Sequence, residues 1–389
     1  MTHAQAASIL VINAGSSSVK FQLFSRQSNP QLLVQGKVAD IGGRPSFIAT
    51  DTMLNPENKQ ADKKILSDNC SHEEALCRIW DWIEEWSEQW SEQWQVTAVA
   101  HRIVHGGTLF KSSVLINPHV MQKLWALAPL APLHQPHNLK AIEFIGTLKP
   151  EVLQIACFDT AFHTHHKALF TEYALPQKIR EQGVRRYGFH GLSYEWIVHT
   201  LRRYEPSLAE GRLIAAHLGN GASLCAIHHG VSVDTTMGMT ALDGLPMGTR
   251  CGSLDAGAVT FMIRHLGLSI DEIESLLYNE SGLLGLSNLS NDVKTLQGSK
   301  DAKAQFALEY FCLKVAQFIG MMAVTLGGVD AIVFTGGIGE NSAFVRSTVL
   351  RHVTFLKPFE TRVVAANEER MIALHAMSLL ERETGVGNG

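Results

Sequence analysis

Residues 9–24, ILVINAGSSSVKFQLF, constrain this chain more than any other stretch. Two apolar runs flank a turn of small polar residues, so the segment reads as strand, turn, strand. The turn is Asn13-Ala14-Gly15-Ser16-Ser17-Ser18, and Lys20 stands just inside the second strand. Small residues at a tip let backbone N–H groups approach an anion. Serine hydroxyls add donors and the lysine adds a mobile positive charge. Such a hairpin suits a phosphate grip, and it equally suits a serine-rich surface turn.

A second stretch of the same form occupies residues 213–227, LIAAHLGNGASLCAI, with the tip His217-Leu218-Gly219-Asn220-Gly221-Ala222-Ser223. Further on, a strand over 331–334 opens into Thr335-Gly336-Gly337-Ile338-Gly339-Glu340-Asn341, and a helix follows. Each feature alone is weak. The turn at 336–339 lacks the third glycine of G-x-G-x-x-G, and no G-x-x-x-x-G-K-[ST] occurs, which argues against a P-loop NTPase. Together they give three candidate phosphate or nucleotide contacts in two similar halves, one hairpin per half. That order suggests a duplicated α/β architecture with a nucleotide clamped between two lobes.

The remaining elements follow from periodicity and punctuation. A strand is expected over 32–38, a polar loop over 42–58, and a helix over 71–94. The helix carries Trp82 and the tandem repeat Trp86-Ser-Glu-Gln-Trp90-Ser-Glu-Gln-Trp94. Tryptophan every fourth residue makes a slowly drifting stripe, which suits an amphipathic packing face better than a cofactor surface. Strands are expected over 96–100 and 152–158 and a helix over 120–127. Pro129, Pro132 and Pro136 mark a loop, with Asn138 as N-cap of the next helix. Residues 233–250 read as a glycine-rich loop, 306–326 as an apolar helix stopped by Gly327-Gly328, and 368–381 as the last helix.

His101 and His105 have i, i+4 spacing, but Arg102 replaces the Glu of H-E-x-x-H, so zinc is not expected. His163, His165 and His166 read as a solvated loop. Arg102 follows a strand and Arg250 closes a glycine-rich loop. Both suit bidentate binding of carboxylate or phosphoryl oxygens, and both also suit surface ion pairs.

Lys plus Arg is 33 against 37 Asp plus Glu, a formal charge of −4, which speaks against a dedicated nucleic-acid binder. Cys70, Cys77, Cys157, Cys225, Cys251 and Cys312 show no paired spacing, as expected of reduced thiols in a cytoplasmic protein. No basic n-region precedes the short apolar run 9–12, so no signal peptide is expected. The apolar stretch 318–334 contains Gly327-Gly328 and Asp330, so it reads as helix, turn and strand and not as a membrane span.

Ten stretches resemble the acetate/propionate/butyrate kinase family of the actin/sugar-kinase superfamily. They are VINAGSSSVK at 11–20, HRIVHGG at 101–107, APLH at 131–134, FDTAFH at 158–163, RRYGFHG at 185–191, HLGNGAS at 217–223, MGTR at 247–250, SGLLG at 281–285, FTGGIGENSA at 334–343 and NEE at 367–369. The resemblance runs from residue 9 to about residue 375. It implies two duplicated actin-like (ribonuclease H-like) α/β domains with a nucleotide cleft between them. Residues 1–158 plus 371–389 would form the N-terminal lobe, with the C-terminal helix returning to it. Residues 159–370 would form the nucleotide-binding lobe.

The resemblance also implies roles. Asn13 and Glu368 would hold Mg²⁺, which Mn²⁺ can replace. Ser16, Ser18 and Lys20 would form the first phosphate loop, and His217, Leu218, Gly219, Asn220 and Gly221 the second. Asp292, Val293 and Lys294, with Gly337, Ile338, Gly339, Glu340 and Asn341, would hold the ribose and adenine of ATP. Arg102 would bind the acceptor carboxylate, with Val104, Leu133, Phe189 and Ala241 along its alkyl end and His134 nearby. Asp159 would be the essential acidic residue, and His190 and Arg250 would stabilise the transferring phosphoryl group. A homodimer is implied, with acetate or propionate and ATP/ADP as ligands and neither nucleic acid nor membrane as a partner.

Three departures stand out: Gln135 where the family has Asn, Lys294 where it has Arg, and Ala241 where it has Pro. Lysine lacks the planar stacking face of arginine, and the smaller Ala241 leaves room for propionate. The implied reaction needs no general base, because a carboxylate is already ionised at neutral pH. Asp159 is therefore expected to position Mg²⁺ or orient an arginine. A sugar or glycerol kinase would need a base and a polar acceptor pocket. An actin-like ATPase or sensor would have no use for Arg102, Arg250 and His190 together.

Overall fold

The computed structural model describes residues 6–54, 61–90 and 93–385. Two compact units divide the chain, Met1–Ala161 with Asn367–Gly389, and Phe162–Ala366. Asp159 and Glu368 thereby fall in the first unit, although the boundaries expected from sequence place both in the second.

The first unit is built on β1 (Ala6–Ala14), β2 (Ser18–Ser25), β3 (Leu32–Ala39), β4 (Ser46–Asp51), β5 (Ala61–Ile65), β6 (Trp94–Ile103), β7 (Val114–Leu115) and β8 (Leu153–Phe158). Their order is β5-β4-β3-β2-β1-β6-β8-β7. Ile9, Leu10, Val11 and Ile12 are all buried, as an unbroken apolar run must be in a central strand covered on both faces. β1 and β2 form the expected hairpin with Asn13 opposite Lys20, and Gly15 N–H donates to Ser18 O at 2.8 Å to close its tip. β1 then runs parallel to β6, and β6 parallel to β8.

Two expectations are corrected here. The segment read as a polar loop over 42–58 contains strand β4, because Phe47 and Ala49 alternate into the core; residues 55–60 lie outside the described residues. The helix expected over 71–94 spans only His72–Ser87, started by a Ser71/Glu74 capping box. It stops because the Ser87 hydroxyl captures both backbone groups of Trp94, at 2.7 and 2.9 Å, and Trp94 opens β6. Ser91 and Glu92 of the tandem repeat lie outside the described residues. The tryptophans are structural. Trp82 and Trp86 are buried, and their indole N–H groups reach Asp62 of β5 and Asp51 of β4 at 2.8 and 2.7 Å, tying the helix to the sheet's far strands.

The second unit repeats the plan with β9 (Arg212–Leu218), β10 (Ala222–His228), β11 (Val231–Thr235), β12 (Ala331–Thr335) and β13 (Glu360–Val363). Their order, β11-β10-β9-β12-β13, matches β3-β2-β1-β6-β8, with an antiparallel pair of hairpins on one side of the first strand and two parallel strands on the other. The loop read over 233–250 thus begins in a strand. The helix Ala302–Leu326 packs Phe311, Cys312, Val315 and Ile319 inward and ends on Gly327 at φ 69°, where a left-handed residue without Cβ is required. Among the described residues it is the one helix apolar and long enough to cross a membrane, yet half of its most apolar window is buried within the protein.

Candidate active site

In the first unit the parallel strands β1, β6 and β8 end side by side, where open α/β sheets place their ligands. Asn13 stands near the end of β1, Arg102 near the end of β6, and Asp159 directly after β8. Asp159 is 2 % exposed and grips Arg102 through both oxygens, with Nε donating at 3.0 Å and Nη2 at 2.6 Å. The Asn13 amide oxygen lies 3.5 Å from Nη1, and a Glu368 carboxylate oxygen 3.7 Å from Nε. Burial works against the charge of Arg102, but Asp159, Glu368 and Glu369 outweigh it and hold the guanidinium protonated far above neutral pH. Burial and then the neighbouring Glu368 push the Glu369 carboxyl up. The hairpin tip carries exposed Ser16, Ser17 and Lys20, with Ser18 half-buried.

Asn138 is not the N-cap that its place after three prolines suggests. The helix spans Gln135–Leu148, begins after His134 with Pro136 in its first turn, and holds Asn138 inside. The buried Asn138 amide donates to Ala14 O at 2.6 Å and accepts Val104 N–H at 3.1 Å. One turn earlier Gln135, also buried, accepts His105 N–H at 3.2 Å and donates to His105 O at 3.0 Å. Two amides thus fasten the helix to the β1–β2 hairpin and to the segment bearing Arg102 and Val104. Leu133 is 41 % exposed.

In the second unit His190 precedes the helix Gly191–Tyr204 in a left-handed conformation, φ 57°, rare for a side chain with Cβ. Its Nδ1 lies 2.8 Å from Ser223 Oγ, which also bonds the Tyr194 hydroxyl, and its ring stacks on His217 at 4.2 Å. His217 is held in turn by Ser193 at 2.8 Å. A Cβ on Gly221 would meet His190 Nε2 at 3.3 Å and Arg250 Nη1 at 3.8 Å, so the second hairpin tip, the histidine and the arginine converge. Arg250 Nη1 donates to Ala241 O at 3.2 Å, and its guanidinium lies over the Tyr278 ring. Phe189 is buried at 3 %.

A cavity of about 690 Å³ in this unit is lined by Gly219, Asn220, Asp292, Val293, Lys294, Gln297, Gly337, Ile338, Asn341 and Ser342. Residues 336–341, read as a turn before a helix, are themselves the short helix Gly336–Asn341. Glu340 takes a scaffold position, accepting Gly336 N–H at 3.0 Å and Ala366 N–H at 2.9 Å, and neither it nor Gly339 lines the cavity. Asp292 caps the helix Val293–Gly298 through Thr295, whose hydrogen bonds lower its carboxyl pKa. Gln297 and Ser342 escape the sequence reading. Gln297 was legible as one helical turn beyond Val293, whereas Ser342 reads only as a cap.

Among the described residues, then, one unit gathers Asn13, Arg102, Val104, Asp159 and Glu368. The other gathers Phe189, His190, His217, Asn220, Gly221 and Arg250, with Asp292, Lys294 and Asn341 around its cavity.

A duplicated five-strand plan, a hairpin with a small-residue tip at the head of each half and arginines at both candidate centres define a phosphotransferase of the actin-like kinase fold. The chain belongs to the Acetokinase family, whose profile it matches over residues 8–373. It is 46 % identical over 352 residues to an acetate kinase of Rhodopseudomonas palustris (strain TIE-1), covering 90 % of this chain and 86 % of that one. It is 43 % identical to an acetate kinase of Nitrobacter hamburgensis, with 96 % of each chain covered. Among solved structures, a propionate kinase from Francisella tularensis subsp. tularensis SCHU S4 superposes with a TM-score of 0.87 at 35 % identity, over 95 % of this chain and 98 % of that one. Porphyromonas gingivalis acetate kinase gives 0.85 at 33 %, over 96 % and 100 %.

Proposed function

We propose that this protein transfers the γ-phosphoryl group of ATP to acetate directly and in line, reversibly, giving ADP and acetyl phosphate, with propionate as a second acceptor. The observation that carries the reading is the Arg102–Asp159 pair. Asp159 occupies the Nε–Nη2 edge of the guanidinium, while the Nη1 end makes only a long contact, 3.5 Å, to Asn13 Oδ1, which an incoming carboxylate would replace. Val104 follows two residues later to meet a short alkyl group. The acceptor arrives as an anion and needs no base, so the work is positioning and charge neutralisation.

In the second unit His190 and Arg250 flank Gly221 and would neutralise the equatorial oxygens of the phosphoryl group in flight. Lys20 with Ser16 and Ser18, and the tip His217–Gly221, would bind donor phosphates. Asp292, Lys294 and Asn341 would hold the nucleoside in the cavity. The second unit would then be the nucleotide-binding lobe. The cation expected to accompany ATP is Mg²⁺, with Mn²⁺ as a substitute. Asn13 and Glu368 supply hard oxygen donors, which suit an ion that takes few protein ligands and keeps water or phosphate oxygens for the rest. When bound, the ion would offset charge on the donor phosphates.

The protein would work as a homodimer in the cytoplasm. The helix Ala302–Leu326 exposes Phe306, Leu313, Met321 and Val324 along one stripe, the last at 84 %. All six cysteines are free, which fits a reducing compartment. Light scattering after gel filtration should give twice the chain mass of 42.8 kDa, and a monomer would refute the dimer.

The activity is tested by trapping product with hydroxylamine. ATP, Mg²⁺ and acetate should give acetyl hydroxamate, and propionate should give the corresponding product with kcat/KM within about two orders of magnitude, as one methylene is worth about 1–3 kcal/mol. No hydroxamate from either acid would overturn the assignment, and an acetate preference beyond that bound would overturn the second acceptor.

A further inference from the structure

The cluster His163, His165 and His166 reads from sequence as a solvated loop, and the structure corrects this for two of the three. His163 is 2 % exposed. Its Nε2 lies 2.9 Å from Phe189 O and its Nδ1 2.8 Å from Ser232 Oγ. The same Ser232 hydroxyl lies 2.6 Å from His166 Nε2 and 3.2 Å from Cys225 Sγ.

The donors in this cluster can be assigned by elimination. A carbonyl only accepts, so the His163 proton sits on Nε2 and points at Phe189 O. Burial lowers the His163 pKa to about 4, so near neutral pH its Nδ1 is bare and accepts. The single Ser232 proton is therefore given to Nδ1. His166 is also kept neutral, its pKa lowered to about 3 by burial, then by His163, Arg186, His165 and Arg185. It must donate its Nε2–H to Ser232, because that hydroxyl has no second proton. A chain of hydrogen bonds thus runs one way, from His166 through Ser232 and His163 to the Phe189 carbonyl.

That carbonyl belongs to a turn under strain. Gly188 has φ 82° and His190 φ 57°. Left-handed residues with a Cβ persist only where the surroundings over-determine them. The His163 ring supplies that constraint from two further sides. A Cβ on Gly188 would lie 2.8 Å from it, and it meets the Tyr194 ring edge-on at 5.8 Å, while Tyr194 holds the Ser223 that holds His190. Packing alone would be served by an apolar ring without the cost of desolvating two nitrogens.

We propose that His163, oriented through Ser232 by His166, is a positioning residue that locks the Phe189–His190 turn and so aims His190 at the transferring phosphoryl group. The inference rests on the kinase reading of His190.

Its test combines kinetics with histidine NMR on the full chain. Imidazole ¹⁵N–¹H spectra at pH 7 should show His163 and His166 neutral with the proton on Nε2. Ser232→Ala should shift the His163 Nδ1 resonance and leave its Nε2 proton in place. His163→Ala should lower kcat for acyl phosphate formation at least tenfold per nucleotide-binding site, counted by ATP titration, with both KM values within about threefold of wild type. His163→Gln, whose amide nitrogen can reach Phe189 O, should recover most of the loss. A His163 proton on Nδ1, an unchanged kcat in His163→Ala, or a His163→Gln no better than His163→Ala would each overturn the proposal. Wild-type protein inactive towards acetate and propionate, with the spectra as expected, would overturn the kinase reading and leave the hydrogen-bond chain standing.

Discussion

Arg102 and Arg250 carry the same group but are held in different ways, and the difference assigns them different kinetic roles. Arg102 is fixed by a buried carboxylate, so its orientation is set before any ligand arrives. Arg250 donates to the Ala241 carbonyl, lies over the face of Tyr278 and converges with His190 on the second hairpin tip, where a phosphoryl group would gather charge during reaction. Arg102→Ala should therefore raise KM for acetate more than it lowers kcat, and Arg250→Ala should do the reverse. Steady-state kinetics with acetate varied at saturating ATP separates the two, and equal effects on both constants at either position would refute its assignment. For Asp159 the bidentate grip favours orientation of Arg102 over proton transfer. Asp159→Asn should cut kcat at least about a hundredfold, while the pH profile of the residual rate keeps the wild-type limbs. A limb present in the wild type and absent from the variant would restore the base.

The helix Gln135–Leu148 shows how the end of a strand is held from outside it. Its first turn carries two buried amides, and Asn138 alone joins Ala14, next to the proposed metal ligand Asn13, to Val104, two residues from Arg102. Asn138→Ala would leave a buried donor and a buried acceptor without partners, each at a cost of about 1–3 kcal/mol. The expected outcome is a lower urea midpoint together with raised KM for both ATP and acetate. A variant with one KM raised and the other untouched would show that the two ends are not coupled through this side chain. None of this was legible in the sequence, where Asn138 after three prolines read as a cap, because what an amide bonds to depends on strands 34 and 124 residues away. The same reason explains the Trp repeat. Its period announced a helix to Trp94, but the Ser87 hydroxyl captured the backbone of Trp94 and turned the chain into β6. By contrast the hairpins β1–β2 and β9–β10 were readable at once, since unbroken apolar runs around small-residue tips depend on nothing distant. Arg250 and His190 were legible in their loops, and Asp159 as a candidate for orienting an arginine, while the place of Arg102 inside β6 and the Ser223 and Tyr194 partners around His190 emerge only once strands and helix are in place.

Duplication distributes one further property over both units. Each holds histidines in the neutral form: buried His101 and His105 in the first, buried His163 and half-buried His166 in the second. Burial lowers the pKa of His101, His105 and His163 to about 4 and that of His166 to about 3, against about 6.5 for a solvated imidazole. An unfolded chain binds protons at these positions as pH falls through about 6.5, while the folded chain does not until about 4. Between those limits the unfolded state holds more protons, so stability is full above about 6.5 and declines towards 4. Each fully buried imidazole contributes on the order of 3 kcal/mol to that decline by the bottom of the window, enough that two or three together consume much of a typical folding free energy of about 5–15 kcal/mol. Urea unfolding at pH 7.5, 6 and 5 should show midpoints falling with pH, steepest below 6. His101→Gln, whose amide can stay near the Gln154 side chain that His101 contacts at 2.8 Å, should flatten the pH dependence of the first unit and leave that of the second unchanged. Tryptophan fluorescence reports the first unit through buried Trp80, Trp82 and Trp86. A midpoint independent of pH from 7.5 to 5, or a His101→Gln variant whose fluorescence transition keeps the full wild-type slope, would show that these imidazoles do not set acid stability.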